Sequence, residues 1–215
     1  MAPARLQVFC FEGPQTSFPF FAAEQQLLEP RRQMPVRMAP SVSSLTVRLA
    51  ADTLATPVGE LFIVCGGDAL CVVDFEGCED RMQAALRRRF GAYELVRVPN
   101  PLGVTDLLER YFAGDVTAVD GVRVNPGGTP YQQRVWDELR RIPAGSTRTY
   151  AQVAADVGGT HARAVGGANA LNPIAIVVPC HRVVGADATL TGYAGGLARK
   201  RWLLDHESRQ GLLPF

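Results

Sequence analysis

The sequence predicts a small α/β domain followed by a mainly helical domain that contains a helix-turn-helix. Three observations indicate this order. Short β-rich segments and amphipathic helical segments alternate over residues 45–125. Several short helical segments with few strand signals fill residues 126–209. A Pro/Gly-rich connection at 125–130 separates the two regions, as is typical of a domain boundary.

The first 44 residues are predicted to be a tail or a loosely attached extension. They are rich in Pro, Gln, Ser and Phe and show neither helical nor alternating periodicity. With 215 residues in total, the rest of the chain can still bury one substantial core or two small ones. The predicted divisions are therefore 1–44, 45–125 and 126–209.

The α/β domain is predicted to begin with a hairpin. Two β-rich runs, 60–64 and 69–75, flank the tight turn Gly66-Gly67-Asp68. An amphipathic helix, a strand and a second helix are then predicted over 79–90, 94–98 and 105–112. This succession of strands and helices predicts a sheet with helices packed on it.

The helical domain is predicted to contain two short helices that form the helix-turn-helix. Helices are expected over 131–142, 150–157 and 161–170. Thr149 and Gln152 have the spacing of a capping box, Gly158-Gly159 ends that helix, and Thr160 is expected to cap the next one. The second helix of such a pair normally meets DNA.

That second helix has an unusual composition for reading base edges. Ala and Gly fill most of its positions, and Arg163 and Asn169 are the residues expected to offer exposed hydrogen-bonding groups. Such a helix allows its backbone to approach closely, which suits sequence-independent binding in the minor groove. Packing against a neighbouring helix explains the same composition, so both interpretations stay open at this point.

Charge and cysteine content exclude several classes of protein. Residues 1–124 carry 12 basic and 15 acidic side chains, whereas residues 125–215 carry 10 and 6, so the C-terminal part is expected to face phosphates. Five cysteines without a CxxC pair do not predict a disulfide framework or a zinc site. Neither a long apolar run nor a signal peptide is recognisable. We therefore expect a soluble cytoplasmic protein that binds neither a membrane nor a metal.

One cysteine stands in a context typical of a nucleophile. The β-branched run 174–178 is predicted to be a buried strand that carries Cys180 and its neighbour His181 at its end. A reactive thiol needs a base or a positive field, and His181 is the nearest base in sequence. A buried, inert cysteine beside a surface histidine gives the same local pattern, so the Cys-His pair alone does not show whether Cys180 is a nucleophile.

A base of this kind must in turn be oriented by a third group. Glu207, near the end of a helix predicted over 197–207, is the carboxylate that we expect in this position. Asp205 and Glu138 are the alternatives. Because adjacent side chains do not automatically meet, a relay through a bound water is as compatible with the sequence as direct contact between Cys180 and His181.

A long ordered series of motifs resembles one known protein family. The motifs are Gly128-Thr129-Pro130-Tyr131-Gln132, Val135-Trp136, Ile142-Pro143-Ala144-Gly145, Tyr150, Arg163-Ala164-Val165-Gly166, Asn172-Pro173, Pro179-Cys180-His181-Arg182-Val183 and Gly192-Tyr193-Ala194-Gly195-Gly196-Leu197. Together they resemble the C-terminal domain of the O6-alkylguanine-DNA alkyltransferases, or methylated-DNA–protein-cysteine methyltransferases. Thr56-Pro57-Val58-Gly59 and Tyr111-Phe112-Ala113-Gly114 are similar to the N-terminal domain of the family. The likeness covers residues 46–207.

This resemblance implies an RNase H-like sheet with helices in the N-terminal domain and DNA repair by direct reversal. A member of the family flips O6-alkylguanine out of duplex DNA and transfers the alkyl group irreversibly and stoichiometrically to a cysteine; O4-alkylthymine is left open here as a second substrate. The implied partner is double-stranded alkylated DNA, and no cofactor is implied. We expect a monomer, and cooperative binding along DNA stays open.

The resemblance also implies catalytic roles at matching positions. Cys180 is the implied alkyl acceptor, His181 the water-mediated base and Glu207 the group that orients it. Asn172 is the implied hinge between the recognition helix and the active-site strand. Tyr150 is implied to push on the flanking phosphate and to donate a proton to the leaving guanine.

Further positions are implied in binding. Arg163 resembles the finger that fills the hole left by the flipped base, while Tyr193 and Ala194 resemble residues that line the base pocket. The backbone N–H of Ala194 is implied to reach O6, and the carbonyls of Cys180 and Val183 to accept from the guanine amino group. The implied DNA-binding surface comprises Arg163, Ala164, Gly166, Gly167 and Asn169.

Three other functions fit parts of the pattern. An alkyltransferase-like protein recognises alkylguanine without accepting the alkyl group, but such proteins typically lack the acceptor cysteine that this chain has at Cys180. A hydrolase using Cys180, His181 and Glu207 turns over because water resolves its covalent intermediate, whereas water has no easy route to cleave a thioether. A helix-turn-helix regulator is the third alternative, against which the absence of a dimerisation heptad argues.

Overall fold

The computed structural model describes residues 46–210, so the extension predicted over 1–44 lies outside the described residues. Within 46–210, a four-stranded sheet with two helices is followed by four further helices. No helix in this part of the chain combines the length and the apolar character needed to cross a membrane.

The sheet consists of β1 (Val47–Thr56), β2 (Gly59–Gly66), β3 (Ala69–Phe75) and β4 (Tyr93–Arg97), in the order β3-β2-β1-β4. β1 is antiparallel to β2 and parallel to β4, and β2 is antiparallel to β3, which confirms the predicted hairpin. All of β3 is buried, because α1 packs beside it and Val73 forms a bridge with Ile174 of the C-terminal part. β3 therefore joins the sheet to the segment that precedes Cys180.

Two helices complete the N-terminal part, α1 (Glu79–Phe90) and α2 (Val104–Phe112), both predicted to within one residue. α1 buries Met82 and Leu86, which lie four residues apart and therefore on one face. Tyr111, near the end of α2, is fully buried. It brings a phenol hydroxyl from the N-terminal part to the site described below.

Four helices form the C-terminal part: α3 (Pro130–Arg140), α4 (Tyr150–Val157), α5 (Ala162–Ala170) and α6 (Leu197–Gln210). Two short strands, β5 (Arg148–Thr149) and β6 (Val183–Val184), pair in parallel. The predicted capping box of α4 is confirmed, since Thr149 accepts from the backbone N–H of Gln152 and the Gln152 side chain accepts from that of Thr149. α6 continues three residues beyond the predicted end at Glu207.

The predicted cap of α5 is wrong. His161 precedes the helix and makes no side-chain capping bond, while the Thr160 hydroxyl pairs with the Tyr131 hydroxyl at 2.9 Å. Thr160, which the sequence predicted at the start of α5, is therefore bonded to Tyr131 of α3 instead.

One hydrophobic cluster runs through both parts of the fold and includes Phe75, Tyr111, Val135, Trp136, Val165 and Ile174.

The strand predicted over 174–178 is also wrong, because this segment is a buried turn. Val178 N–H donates to Ile174 O at 3.0 Å, and Ala175 N–H donates to Val73 O at 2.8 Å. Ile176 adopts a φ of 69°, a left-handed conformation that is rare for a β-branched residue and costs about 1–3 kcal/mol. Burial explains the apolar, β-branched composition, but the backbone groups are satisfied by turn bonds and an isolated bridge to Val73 instead of a ladder. Cys180 consequently lies on a 3₁₀ turn, Cys180–Arg182, and not at a strand end.

Candidate active site around Cys180

Asn172 holds both Cys180 and the turn that precedes it. Its Nδ2 donates to the Cys180 sulfur at 3.2 Å and to Val178 O at 2.8 Å, and its Oδ1 accepts from Ile174 N–H at 3.0 Å. Asn172 and Cys180 are 2% and 8% exposed. One buried amide therefore fixes the end of α5, the buried turn and the sulfur with respect to each other.

The Cys180 thiol is not a pre-formed thiolate. Burial raises the pKa of Cys180, and the hydrogen bond from Asn172 together with the charges of Arg81 and Lys200 offsets that effect only in part. A thiol with a raised pKa is protonated at neutral pH. Reaction at the sulfur therefore requires a group that removes the proton.

His181 and Glu207 form a fully buried pair beside the cysteine. The distance between His181 Nε2 and Glu207 Oε1 is 3.0 Å. Because an ionised carboxylate can only accept, Nε2 carries the proton and donates it to this bond. Burial lowers the pKa of His181, although Glu207 acts in the opposite direction, so the ring is neutral at pH 7 with its lone pair on Nδ1. Nδ1 makes no hydrogen bond to any described residue.

Glu207 is itself held by groups from distant parts of the chain. Arg182 donates to both carboxylate oxygens, at 3.0 and 2.8 Å, and also to Ile142 O at 2.6 Å. The Tyr111 hydroxyl donates to Glu207 Oε1 at 2.8 Å. Burial by itself raises the pKa of Glu207, but the charges and hydrogen bonds of His181 and Arg182 lower it far below the usual carboxyl range. The carboxylate is therefore ionised under all ordinary conditions.

The alternative carboxylates do not approach His181. Asp205 is exposed, and Glu138 pairs with Arg141 on the surface. Sequence reasoning missed Arg182 and Tyr111 as partners of Glu207. Arg182 adjoins His181 in sequence, which is a usable signal, whereas Tyr111 is 96 residues from Glu207 and carries no local one.

Lys200 is a further site residue that sequence reasoning missed. It is fully buried, and its Nζ donates to Val183 O at 2.6 Å and to Thr191 O at 2.9 Å. Burial lowers the pKa of Lys200, while the nearby Cys180 raises it. The sequence could have indicated this position, because Lys200, Leu203 and Glu207 are spaced so that they lie on one face of a helix.

Tyr150 and Tyr193 lie close enough to Cys180 to interact with it electrostatically, and Ala194 follows Tyr193 in the same loop. Tyr150 is half-buried, its ring centroid is 5.9 Å from Lys200 Nζ, and burial raises the pKa of its phenol. Tyr193 has a buried hydroxyl without a hydrogen-bond partner among residues 46–210, and its ring packs edge-on against Phe75 at 6.1 Å. Ala194 O accepts a weak bond from the Cys78 thiol at 3.8 Å.

The 192–196 loop is pressed against the N-terminal sheet. A Cβ at Gly195 would lie 2.8 Å from the Phe75 ring, so only glycine fits this contact. Arg199 donates to Val58 O at 2.8 Å and to Gly195 O at 3.2 Å, and its guanidinium lies over the Phe75 ring at 4.9 Å. The loop that carries Tyr193 and Ala194 is thus anchored from both parts of the fold.

The predicted DNA-facing residues of α5 divide into two groups. Arg163 and Gly167 are exposed, and Ala164 and Gly166 are half-buried. Asn169 is 7% exposed, so the prediction that it offers an exposed side chain is wrong. Val165 and Asn169 lie four residues apart and share the face of α5 that packs inward.

Comparison with known proteins identifies the family. Residues 49–126 match the family model described as the ribonuclease-like domain of 6-O-methylguanine DNA methyltransferase, and residues 130–209 match the DNA binding domain of the same protein. The methylated-DNA–protein-cysteine methyltransferase of Salmonella typhimurium is 48% identical over 165 residues, which cover 75% of this chain and 96% of the relative.

Solved structures agree with the sequence matches. The Mycobacterium tuberculosis O6-methylguanine methyltransferase R37L variant aligns with a TM-score of 0.63 and 38% identity, covering 79% of this chain and 96% of that one. A structure of the Mycobacterium tuberculosis OGT in complex with DNA aligns with a TM-score of 0.62 and 38% identity, covering 76% and 94%. The fold thus consists of an N-terminal domain of sheet and helices and a helical C-terminal DNA-binding domain, and the chain belongs to the 6-O-methylguanine DNA methyltransferase family.

Proposed function

We propose that this protein repairs DNA by direct reversal, with Cys180 as the irreversible acceptor of the alkyl group of O6-alkylguanine. The observation that carries this proposal is the Cys180 sulfur under the Asn172 amide, beside the buried His181–Glu207 pair. The family and the relatives named methylated-DNA–protein-cysteine methyltransferases support the same reaction. The protein is a transferase that acts once per molecule.

The transfer is a substitution at the alkyl carbon. The Cys180 sulfur forms a C–S bond while the bond between that carbon and O6 breaks, and the electron pair of the broken bond passes to the guanine. The thiol proton leaves towards His181, and the departing guanine gains a proton from the Tyr150 phenol. The product is a thioether, which water does not cleave readily, so the protein is consumed stoichiometrically.

The proposed proton route follows from the bonds of the histidine. Nε2 of His181 is engaged by Glu207, so Nδ1 is the nitrogen that can accept a proton. We propose that a water molecule relays the proton from the Cys180 thiol to Nδ1. Glu207, ionised and held by Arg182, then stabilises the imidazolium that forms.

We propose that α4 and α5 form a helix-turn-helix whose second helix lies in the minor groove. The exposed surface of α5 is made largely of Ala and Gly, which allows close approach, and Arg163 projects from its first turn. Arg163 is proposed to fill the stack after the base has been extruded, because extrusion costs a few kcal/mol that a filling side chain offsets. The relative solved in complex with DNA supports duplex DNA as the partner.

We propose that the extruded base enters a pocket formed by Tyr150, Tyr193, Ala194 and the carbonyl groups of Cys180 and Val183. The bonds from Lys200 to Val183 O and Thr191 O support a rigid wall at this point, and a carbonyl that accepts once retains a second lone pair.

For the organisation of the chain, we propose domains over 45–125 and 126–209 and a monomer. We also propose a cytoplasmic location, which is supported by the free thiols of Cys65, Cys71, Cys78 and Cys180.

Intact-mass spectrometry after incubation with a duplex containing one O6-methylguanine tests the proposal. The expected result is one added methyl group per protein, mapped to Cys180 by peptide analysis and absent from Cys180→Ser, which still binds the duplex. Binding of the wild type without a mass increase would identify an alkyltransferase-like protein. Repeated turnover without a stable adduct would identify a hydrolase.

A further inference from the structure

Asn169 is a buried amide whose hydrogen-bonding groups are unused. The side chain is 7% exposed, and neither Nδ2 nor Oδ1 has a hydrogen-bond partner among the described residues. A buried polar group that is left unpaired destabilises a folded protein, and native proteins contain few such groups. An amide that is kept in this state in a folded protein points to a partner that arrives with a ligand.

The geometry of α5 indicates where this amide lies. Gly166, Asn169 and Asn172 follow each other at intervals of three residues and therefore share one side of the helix and its last turn. A Cβ at Gly166 would lie 3.9 Å from the Tyr150 ring, and Asn172 binds the Cys180 sulfur. Asn172 N–H donates to Asn169 O at 3.2 Å, so the turn is continuous. Asn169 thus lies beside Tyr150 and one turn before Asn172, which binds the Cys180 sulfur.

The surrounding polar groups do not satisfy this amide. Lys200 is committed to Val183 O and Thr191 O. The amide comes near enough to the Tyr150 hydroxyl to offset part of the rise that burial causes in the pKa of that phenol, but the pair does not meet hydrogen-bond geometry. The Tyr193 hydroxyl is likewise unpaired within the described chain. The Asn169 amide and the Tyr193 hydroxyl therefore remain without partners among the described residues after the proposed proton route has used His181 Nδ1.

We propose that the Asn169 amide is a specificity-determining contact to the extruded base. The inference rests on the proposed function, since it concerns the base that occupies the space between Tyr150 and Cys180. A carboxamide offers donors and an acceptor, which match the mixed donor and acceptor edge of a purine. A site built to hydrogen-bond its substrate rejects analogues that lack the bonded atom, because its own group is then left unpaired.

Asn169→Leu tests this contact, because leucine has a similar volume without hydrogen-bonding atoms. We expect transfer from a duplex containing O6-methylguanine to slow about tenfold, while the urea midpoint of the free protein stays equal or rises as the unpaired amide is removed. Gln83→Leu is the matched control, since Gln83 lies on α1 and bonds the Arg87 side chain. This variant should transfer at the wild-type rate.

Substrate analogues separate a base contact from a structural effect. Single-turnover rates are compared for the 7-deaza and 3-deaza forms of O6-methylguanine and for O6-methylhypoxanthine, which lacks the 2-amino group, each in the same duplex. The wild type should slow about tenfold on the analogue that lacks the contacted atom, and Asn169→Leu should show no further loss on that analogue.

A ratio of wild-type to Asn169→Leu rates that is the same on all four substrates would overturn the inference, as would an unchanged rate on O6-methylguanine. Failure of the proposed function is a different result. In that case the wild type itself gains no methyl group on Cys180 from the O6-methylguanine duplex.

Discussion

The Asn172 amide donates to the Cys180 sulfur across 3.2 Å, and the same nitrogen donates to Val178 O at 2.8 Å. A hydrogen bond to a charged group contributes about 1.5–3 kcal/mol, so this bond gains strength as the sulfur becomes anionic. Asn172 therefore couples the conformation of the buried turn to the reactivity of the cysteine.

Asn172→Ala should slow alkyl transfer by about 10- to 100-fold, which is the rate equivalent of that free energy. The free base O6-benzylguanine is the appropriate substrate, because it removes DNA binding from the measurement. Asn172→Asp keeps the acceptor for Ile174 N–H but brings a negative charge to the sulfur. It should raise the pKa of Cys180, measured by iodoacetamide labelling, and a lowered pKa in this variant would contradict the donor role.

The pH dependence of the rate distinguishes a base-assisted thiol from a free thiolate. Burial lowers the pKa of His181 below its ordinary 6.5, so the ring accepts a proton at neutral pH and loses this ability only in acid. Burial raises the pKa of Cys180 above its ordinary 9.0. The wild-type rate should be nearly constant from about pH 7 to 9 and fall below the His181 pKa. In His181→Ala the rate should rise about tenfold per pH unit over that range, because only the thiolate reacts; parallel profiles would exclude the base role.

Because of Glu207, the free energy of unfolding should decrease as the pH falls. Its folded pKa is lowered below the ordinary 4.5, so its contribution is complete above pH 4.5 and is lost as pH falls towards the folded pKa. Urea unfolding at pH 7 and pH 3.5 should show a larger loss of stability for the wild type than for Glu207→Gln. At pH 7 the variant should be less stable by about 3–5 kcal/mol, because Arg182 is left as a buried, unpaired charge. Equal losses on acidification would show that Glu207 does not titrate with folding.

Arg199 anchors the 192–196 loop to the N-terminal sheet through Val58 O, Gly195 O and the Phe75 ring. Arg199→Ala should destabilise the protein by about 2 kcal/mol and speed hydrogen exchange of the loop amides. Arg201→Ala is the control, since Arg201 is exposed on the same helix. Lysine lacks the planar, multiply donating guanidinium, so Arg199→Lys should recover little of the lost stability. Loop exchange that is unchanged in Arg199→Ala would refute the anchoring role.

Arg163→Ala addresses the proposed finger. The side chain is exposed in the free protein, so its removal should leave the free energy of unfolding within about 0.5 kcal/mol of the wild type. Repair of O6-methylguanine in a duplex should fall much more than reaction with free O6-benzylguanine, because the free base needs no extrusion. Equal losses on both substrates would be incompatible with a finger.

Local signals predicted most of the fold. α1 and α4 were predicted with their observed bounds, because an apolar stripe and, for α4, a capping box are properties of adjacent residues. The segment 174–178 was mispredicted for a physical reason: a buried β-branched run has the composition of a central strand whether its backbone is paired in a ladder or closed into a turn. Its conformation depends on Val73 in β3, which is distant in sequence, and on the side-chain bonds of the neighbouring Asn172.

The residues of the site that are close in sequence were predicted, as were the locally determined helices. Cys180 and His181 are adjacent, and the fold brings Glu207 to His181, as the sequence interpretation expected. Tyr111 could not be predicted, because its role is defined by a contact with a carboxylate 96 residues away. Lys200 was overlooked although it shares a helix face with Leu203 and Glu207. Asn169 was assigned to the wrong surface, since a helix of small residues gives little indication of which side faces inward.

The burial of Lys200 has a practical consequence for handling the protein. It is the single lysine of the 215-residue chain, and its ammonium group is enclosed and bound to two carbonyls. Reagents that acylate lysine amines will therefore leave Lys200 unmodified until the protein unfolds. Acylation of Lys200 consequently reports the rate of unfolding.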